Sequence, residues 1–336
     1  MLRLAIIGAG FMARRRARAF VATGRAHIVG IAARRLSSAK TIGAELGCPH
    51  CFDDYRRLLD CKPDAVLIEV PHLVQDELVL WALGQGLPTL IGGPLSVSVQ
   101  GGEKILGAAR HAGVLLECGF EARYKAVWET AKELLHAGRI GQPIAVQSIA
   151  LWNGKSESWY YDQAASGGMP LTHMSYAFIN PLRWIFGEPL RVSAFANRIK
   201  QTAADYVREE TCVANLLFPQ QVMCSMLAGY VKSGSGDAWG LTIVGTEGTM
   251  ELQPTEMENG SLRIACGEKA ETFEFSQAQD AFIAQAHAFI DSAWTNAHCR
   301  NGPEDCLRDL QVAIAISVSA REGRSIELFQ DFRPFS

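Results

Sequence analysis

Residues with the types and spacing to do chemistry appear at the start of the chain. Gly8-Ala9-Gly10-Phe11-Met12-Ala13 follows an apolar run and has the spacing G-x-G-x-x-A. The first glycine permits a tight turn, the second lets backbone approach a diphosphate, and the small sixth residue lets helix and strand pack closely. The free N–H groups of the helix that follows suit an anion. Gly8, Gly10, Phe11 and Met12 are therefore candidate contacts to a dinucleotide. The end of the second apolar run decides which one. Folds that prefer NAD place an acidic residue there, about 20 residues past the motif, to bind the ribose hydroxyls. This chain has Ala33, Arg34 and Arg35, and its first acidic residue is Glu45. A small residue followed by arginine leaves room for a 2′-phosphate and offers it a bidentate partner. The expected cofactor is NADP(H) in preference to NAD(H), with at least one of the two arginines on the phosphate. Both arginines being solvated at a strand end is the plainer alternative. The neighbouring Arg14, Arg15, Arg16 and Arg18 read as the solvated face of a helix.

The elements that must position these residues alternate regularly. Apolar runs at 4–7, 27–32, 65–70, 88–91 and 114–118 predict strands, and amphipathic stretches at 11–23, 37–46, 73–85 and 99–111 predict helices. That order implies a Rossmann-type parallel sheet covered on both faces, over residues 1–120. After a helix at 126–136 the pattern changes. Strands are expected at 144–152, 191–197, 211–218, 222–230, 241–244 and 249–252, a helix at 171–186, and closing helices at 281–294 and 303–320. Residues 121–336 thus read as an α+β domain with a large, mostly antiparallel sheet.

Composition narrows the function classes. At 336 residues, two domains are expected. A net charge of −3 gives no electrostatic reason for a nucleic-acid or anionic-membrane partner, and no apolar run has the length of a membrane span. The first apolar residues run straight into a glycine turn and read as a strand rather than a signal peptide, so a cytoplasmic protein is expected. Nine cysteines are too sparse for a disulfide scaffold. Cys48-Pro49-His50-Cys51 has C-x-x-C spacing but follows a helix rather than opening one, so redox chemistry is discounted. With Cys61 it still lacks the second pair of a zinc site, and no metal is expected.

Longer segments carry a resemblance. "AARRLSSAKTIGAELG", "DAVLIEVPHLVQDELVLWALGQGLPTLIGGPLSV", "GFEARY", "SGGMPLTHMSYAFINPLRWIFG", "IVGTEGTMEL" and "SAREGRSIEL" together resemble the glucose–fructose oxidoreductase / inositol dehydrogenase (Gfo/Idh/MocA) family over nearly the whole length. The resemblance implies an NAD(P)-dependent oxidoreductase of sugars, cyclitols or related small polar molecules. It also implies a homo-oligomer, dimer or tetramer, associating through the open face of the second sheet. By the same analogy Val70, Pro71 and His72 stand at the family's T-P-N and Gly92, Gly93 and Pro94 at its E-K-P, all against the cofactor. Arg123, Tyr124, Lys155, Trp159 and Tyr161, with Tyr160, line the substrate side.

The departures bear on mechanism. The family's active-site lysine falls on Gly93, its Asp and His four residues apart fall on His173 and Ala177, its T-P-N-x-x-H histidine falls on Gln75, and a further Asp falls on Asn180. Oxidising an alcohol by hydride transfer needs a base for the hydroxyl proton. His173 is the titratable residue in register, and an ordinary pKa near 6.5 suits it to that task. It is either the acid/base or substrate anchor, or a core histidine bonded to backbone. Three functions follow: an NADP(H)-dependent oxidoreductase with a rewired proton-transfer site, extending to reduction of a carbonyl or imine; a non-catalytic NADP(H)-binding sensor, regulator or oligomer partner; or, as the resemblance implies for some members, chemistry with a tightly held cofactor that is oxidised and re-reduced in each turnover.

Overall fold

A computed structural model describes residues 1–153, 158–199, 205–230, 238–254, 259–276, 280–295 and 298–329. They form two compact units, Met1–Glu121 with Phe282–Arg308, and Ala122–Ala281 with Asp309–Ser336.

The first unit is built on β1 (Leu2–Ile7), α1 (Phe11–Ala22), β2 (Ala26–Ala32), α2 (Leu36–Leu46), β3 (Cys51–Phe52), β4 (Ala65–Ile68), α3 (His72–Gly84), β5 (Thr89–Ile91), α4 (Val99–Ala112) and β6 (Leu116–Cys118). All six strands are parallel, in the order β3-β2-β1-β4-β5-β6. Every residue of β4 and β5 is buried, as expected of strands covered on both faces. The winding reverses between β1 and β4, and the carboxyl ends of these two strands therefore define the crevice where such sheets take ligands.

The second unit contains α5 (Ala126–His136), β7 (Pro143–Leu151), α6 (Gln163–Ser166), a π-helical segment Pro170–Ile179, α7 (Asn180–Phe186), β8 (Arg191–Asn197), β9 (Thr211–Leu217), β10 (Met223–Gly229), β11 (Ala238–Gly245), β12 (Thr249–Gln253), β13 (Ser261–Cys266) and β14 (Lys269–Glu274). The chain closes with α8 (Ala281–Thr295), α9 (Pro303–Glu322) and β15 (Ile326–Glu327). Nine strands form one sheet in the order β14-β13-β12-β11-β7-β10-β9-β8-β15. Its pairs are antiparallel except β7 with β10, which run in parallel. Alternation is strict along β9, where Cys212, Ala214 and Leu216 are buried and Val213 and Asn215 are exposed. One face therefore carries a core and the other is open.

Two expectations change. Residues 121–336 do not all belong to the second unit, because the chain returns to the first between Phe282 and Arg308. The reason is apolar packing. Ala286, Phe289 and Ile290 of α8 lie in one core with Leu4, Ile6, Phe20 and Ile31, and the Phe289 ring meets Phe20 edge-on at 5.7 Å. The helix expected at 171–186 is π-helical up to Ile179, with the Asn180 N–H bonding the Ser175 carbonyl five residues back. Pro181 has no N–H to give the Ala177 carbonyl, and the hydrogen-bond ladder has shifted register just ahead of it.

Candidate functional site

The glycine turn in the first unit has the geometry of a diphosphate cradle. Gly8 has φ +118° and donates its N–H to the Ala32 carbonyl at 2.8 Å. A Cβ here would run into the carbonyl oxygen of Glu69, so both conformation and space demand glycine. Gly10 caps α1 without a side-chain bond, the first turn of α1 holds no acidic residue, and a Cβ on Gly10 would meet nothing within 4 Å. Free N–H groups facing open space fit an anionic nucleotide. Phe11, 68% exposed, and half-buried Met12 flank the turn.

Ala33 packs half-buried against the core, while Arg34 and Arg35 are exposed. Among the described residues neither guanidinium makes a hydrogen bond or ion pair. Arg14 and Arg18, by contrast, pair with Glu45 at 3.5 and 3.2 Å. Arg16 corrects the expectation of a solvated face. It is buried, its Nε donates to Glu69 Oε1 at 2.6 Å, and its other nitrogens reach Gln285 Oε1, the Gly119 carbonyl and Glu121. The signal was present in the spacing, because Ala13, Arg16, Ala17 and Phe20 form the buried stripe of α1.

Further along the strand ends, Val70 and Pro71 are half-buried, Pro71 caps α3, and His72 is buried as its first residue. Gln75, where the family keeps a histidine, is fully buried and donates from Nε2 to the Pro94 carbonyl at 2.8 Å. It ties α3 to the Gly92-Gly93-Pro94 turn. Both glycines of that turn are crowded. A Cβ on Gly92 would lie 2.8 Å from Glu69 Oε2, and a Cβ on Gly93 would lie within 2.6 Å of Cδ1 and Cζ of Phe120. The space a lysine side chain would enter at position 93 is filled by the Phe120 ring.

In the second unit, the register Leu151↔Gly229 of the parallel pair β7 and β10 brings Trp152 and Tyr230 out at the same strand ends, with the Trp152 N–H on the Gly229 carbonyl at 2.9 Å. The π-helical segment carries His173 to them. His173 Nδ1 lies 2.6 Å from the Tyr230 hydroxyl and 3.0 Å from Thr172 Oγ1, and these two hydroxyls are 2.9 Å apart. Around the imidazole stand Trp152 at 4.5 Å, Tyr160 and Tyr230 at 4.9 Å, and Tyr176 at 5.5 Å between ring centres. Burial holds the Tyr230 hydroxyl well above its ordinary pKa, so it stays protonated. Either the hydroxyl or the imidazole can be the donor in that contact, so Tyr230 engages the ring at Nδ1 in both tautomers. The indole N–H groups of Trp152 and Trp239 are buried and have no hydrogen-bond partner among the described residues.

The other expected substrate residues divide. Trp159 and Tyr160 are half-buried and stacked at 4.1 Å. Tyr161 is buried, stacked on Tyr206 at 5.4 Å and edge-on to Tyr230 at 4.5 Å. Lys155 lies outside the described residues. Arg123 and Tyr124 are buried, and Arg123 donates from Nε and Nη2 to the Asn180 carbonyl at 3.2 and 2.9 Å. Asn180 in turn donates to Asp309 at 2.8 Å, and Asp309 also pairs with Arg183. Arg123 is thus engaged in a buried polar cluster that holds α7. Sequence reasoning missed Thr172, Tyr230, Trp152, Arg16 and Glu69, because they converge from separate strands and helices at no fixed spacing. Burial pushes the thiols of Cys48, Cys51 and Cys61 above their ordinary pKa, which keeps them neutral. Among the described residues no helix is long and apolar enough to cross a membrane.

A dinucleotide cradle on a doubly wound parallel sheet, joined in one chain to a nine-stranded open-faced sheet, defines a class of nicotinamide-dependent oxidoreductases. The family comparisons agree. Residues 2–120 match the family described as "Oxidoreductase family, NAD-binding Rossmann fold" and residues 128–251 match the "GFO/IDH/MocA C-terminal domain". This chain belongs to the Gfo/Idh/MocA oxidoreductase family. It is 22% identical over 305 residues to scyllo-inositol 2-dehydrogenase (NAD(+)) of Bacillus subtilis strain 168, covering 86% of this chain and 85% of that one. Its fold is that of the aldose-aldose oxidoreductase from Caulobacter crescentus (TM-score 0.87, 24% identity, 97% and 99% of the two chains). It is also that of levoglucosan dehydrogenase in complex with NADH (TM-score 0.89, 17% identity, 98% and 99%).

Proposed function

We propose that this protein is an NADP(H)-dependent oxidoreductase acting on a sugar, cyclitol or related small polar molecule through a rewired proton-transfer site. The observation that carries the reading is the pair of exposed arginines beyond the glycine turn, both without a partner among the described residues. Arg34 and Arg35 follow Ala33 with no carboxylate before Glu45, which supports a 2′-phosphate over a free ribose hydroxyl. Gly8, Gly10, Phe11 and Met12 hold the diphosphate, and Val70, Pro71, His72 and Gly92 to Pro94 line the other half. When bound, the nicotinamide donates or accepts a hydride. His173 gives or takes the substrate proton at Nε2, and Tyr230 fixes the imidazole from the opposite nitrogen. The indole donors of Trp152 and Trp239 are suited to a hydroxylated substrate, with Trp159 and Tyr160 offering a stacking surface for a ring. Relatives named for inositol and 1,5-anhydro-D-fructose are in keeping with this substrate class.

The test joins binding to turnover. Calorimetric titration with NADPH and NADH is expected to favour NADPH, and Arg34→Ala with Arg35→Ala to weaken NADPH far more than NADH; equal loss for both sinks the 2′-phosphate assignment. Hydride transfer is then assayed across sugar, cyclitol, aldehyde and imine panels, where His173→Ala is expected to lower the rate about 10²- to 10⁴-fold. A second reading, a non-catalytic NADP(H)-binding sensor, is favoured by the Phe120 ring filling the lysine position. Binding without turnover on every panel would select it.

Assembly and location belong to the same proposal. The open face of the nine-stranded sheet exposes Phe195 (75%), Met223 (57%), Val213 and Val244, and a groove of about 600 Å³ crosses it between Arg191, Asn215 and Thr242. An apolar face of this extent supports pairing with a second copy of the chain, as a dimer or tetramer. All nine cysteines are free thiols, in keeping with the reducing cytoplasm.

A further inference from the structure

The two crowded glycines point to a side chain that has changed strands. Position 92, where the family writes glutamate, is glycine, and the volume next to its missing Cβ is taken by the Glu69 carboxylate, 2.8 Å away at Oε2. Glu69 is the first residue after β4, on the strand next to β1, and its N–H bonds the Ile7 carbonyl at 2.8 Å. Its carbonyl oxygen is the atom that forces Gly8 to be glycine. It therefore stands at the point where the winding reverses, beside the diphosphate turn, where a bound dinucleotide must pass. One carboxylate oxygen is fixed, Oε1 accepting from Arg16 Nε at 2.6 Å. The Arg16 guanidinium is itself held by Gln285, Gly119 and Glu121. The other oxygen, Oε2, has no hydrogen-bond donor among the described residues, although the side chain is only 10% exposed. This oxygen is not one of the fully buried orphaned atoms, so it keeps an open side from which water or a ligand can donate to it.

We propose that Glu69 Oε2 accepts a hydrogen bond from the nicotinamide half of the bound dinucleotide, its ribose hydroxyls or carboxamide, in place of a carboxylate at position 92. The proposal rests on the dinucleotide reading above. The Arg16 network, buried on α1, holds the carboxylate in a fixed orientation before the ligand arrives. Phe120 makes the parallel exchange at position 93, so that glycine at both positions leaves room for side chains arriving from β4 and from beyond β6.

The experiment compares two ligands that differ only in the half concerned. NADPH and 2′-phospho-ADP, which lacks both the nicotinamide and its ribose, are titrated calorimetrically into wild type and Glu69→Gln. The variant is expected to bind NADPH about 10- to 100-fold more weakly, the loss of one hydrogen bond to a charged group, and to bind the fragment as wild type does. Equal weakening of both ligands, or of neither, overturns the proposal. Failure of wild type to bind either ligand overturns the dinucleotide reading itself and is distinguishable from both. Removing the Arg16 partner can unfold the variant. In that event a crystal structure of wild type with NADPH decides: a nicotinamide-half donor within about 3.2 Å of Oε2 supports the assignment, and an Oε2 out of hydrogen-bond reach overturns it.

Discussion

At the scale of single residues, two buried groups make opposite demands on the solvent. The Tyr230 hydroxyl, bonded to His173 and Thr172, has its polar needs met inside the protein. Tyr230→Phe leaves Nδ1 of His173 with a poorer partner and is expected to cost about 1–3 kcal/mol in chemical denaturation. Because the imidazole of His173 is then less firmly held, the pH profile of kcat/KM should move as well, which a purely structural role would not produce. Glu209 is the reverse case. Its Oε2 is buried with no hydrogen-bond partner, and burial outweighs Arg208, Ser317 and Arg321 in pushing its carboxyl above the ordinary 4.5. A carboxyl whose pKa is raised on folding binds its proton more tightly in the folded state. Its ionisation therefore removes stability as pH rises from 4.5 through the raised value, and the cost is full at neutral pH. Glu209→Gln should raise the melting temperature at pH 7, and the gain should vanish below pH 4.5. A gain that persists in acid would show that charge is not the cause.

Elements decide which unit a segment belongs to. Helix α8 follows the second sheet in sequence, yet Phe289 is fully buried in the core of the first with Phe20 and Ile31. Phe289→Ala should therefore destabilise the first unit by about 3–5 kcal/mol, the range for a large aromatic removed from a packed core. Fragment refolding provides the check: residues 1–121 alone should unfold at lower denaturant than a protein retaining α8. Sequence periodicity identified α8 as a helix but could not say where it docks, because any apolar stripe matches any apolar face. The π-helical segment was illegible for a different reason. Its composition is that of an apolar helix, and the hydrogen-bond register depends on how Pro181 is accommodated in three dimensions.

For the whole molecule, the open face of the nine-stranded sheet is the feature with consequences. Phe195 lies on β8, and Met223, on β10, is also exposed. Phe195→Glu combined with Met223→Glu places two charges on that face without touching either candidate site. Light scattering after size exclusion is expected to show loss of the oligomer while NADPH binding persists. An unchanged mass would place the interface elsewhere. The alternation that makes this face apolar was readable in β9 and β10, since period-two patterns give the two sides of a strand directly.

What the sequence determined by itself was local. The glycine turn, the alternating order of strands and helices, the arginines after Ala33 and the loss of the family's lysine follow from residue type and short spacing, and these are properties of adjacent residues. The tertiary structure decided what those losses mean. Only folding brings Glu69 against Gly92, Phe120 against Gly93, and Tyr230 with Trp152 against His173, because each pair is separated by more than twenty residues and meets at strand ends set by sheet register. Arg16 makes the same point in one residue: its sequence neighbours are mostly arginines at the surface, and its role was fixed by the buried carboxylates that surround it.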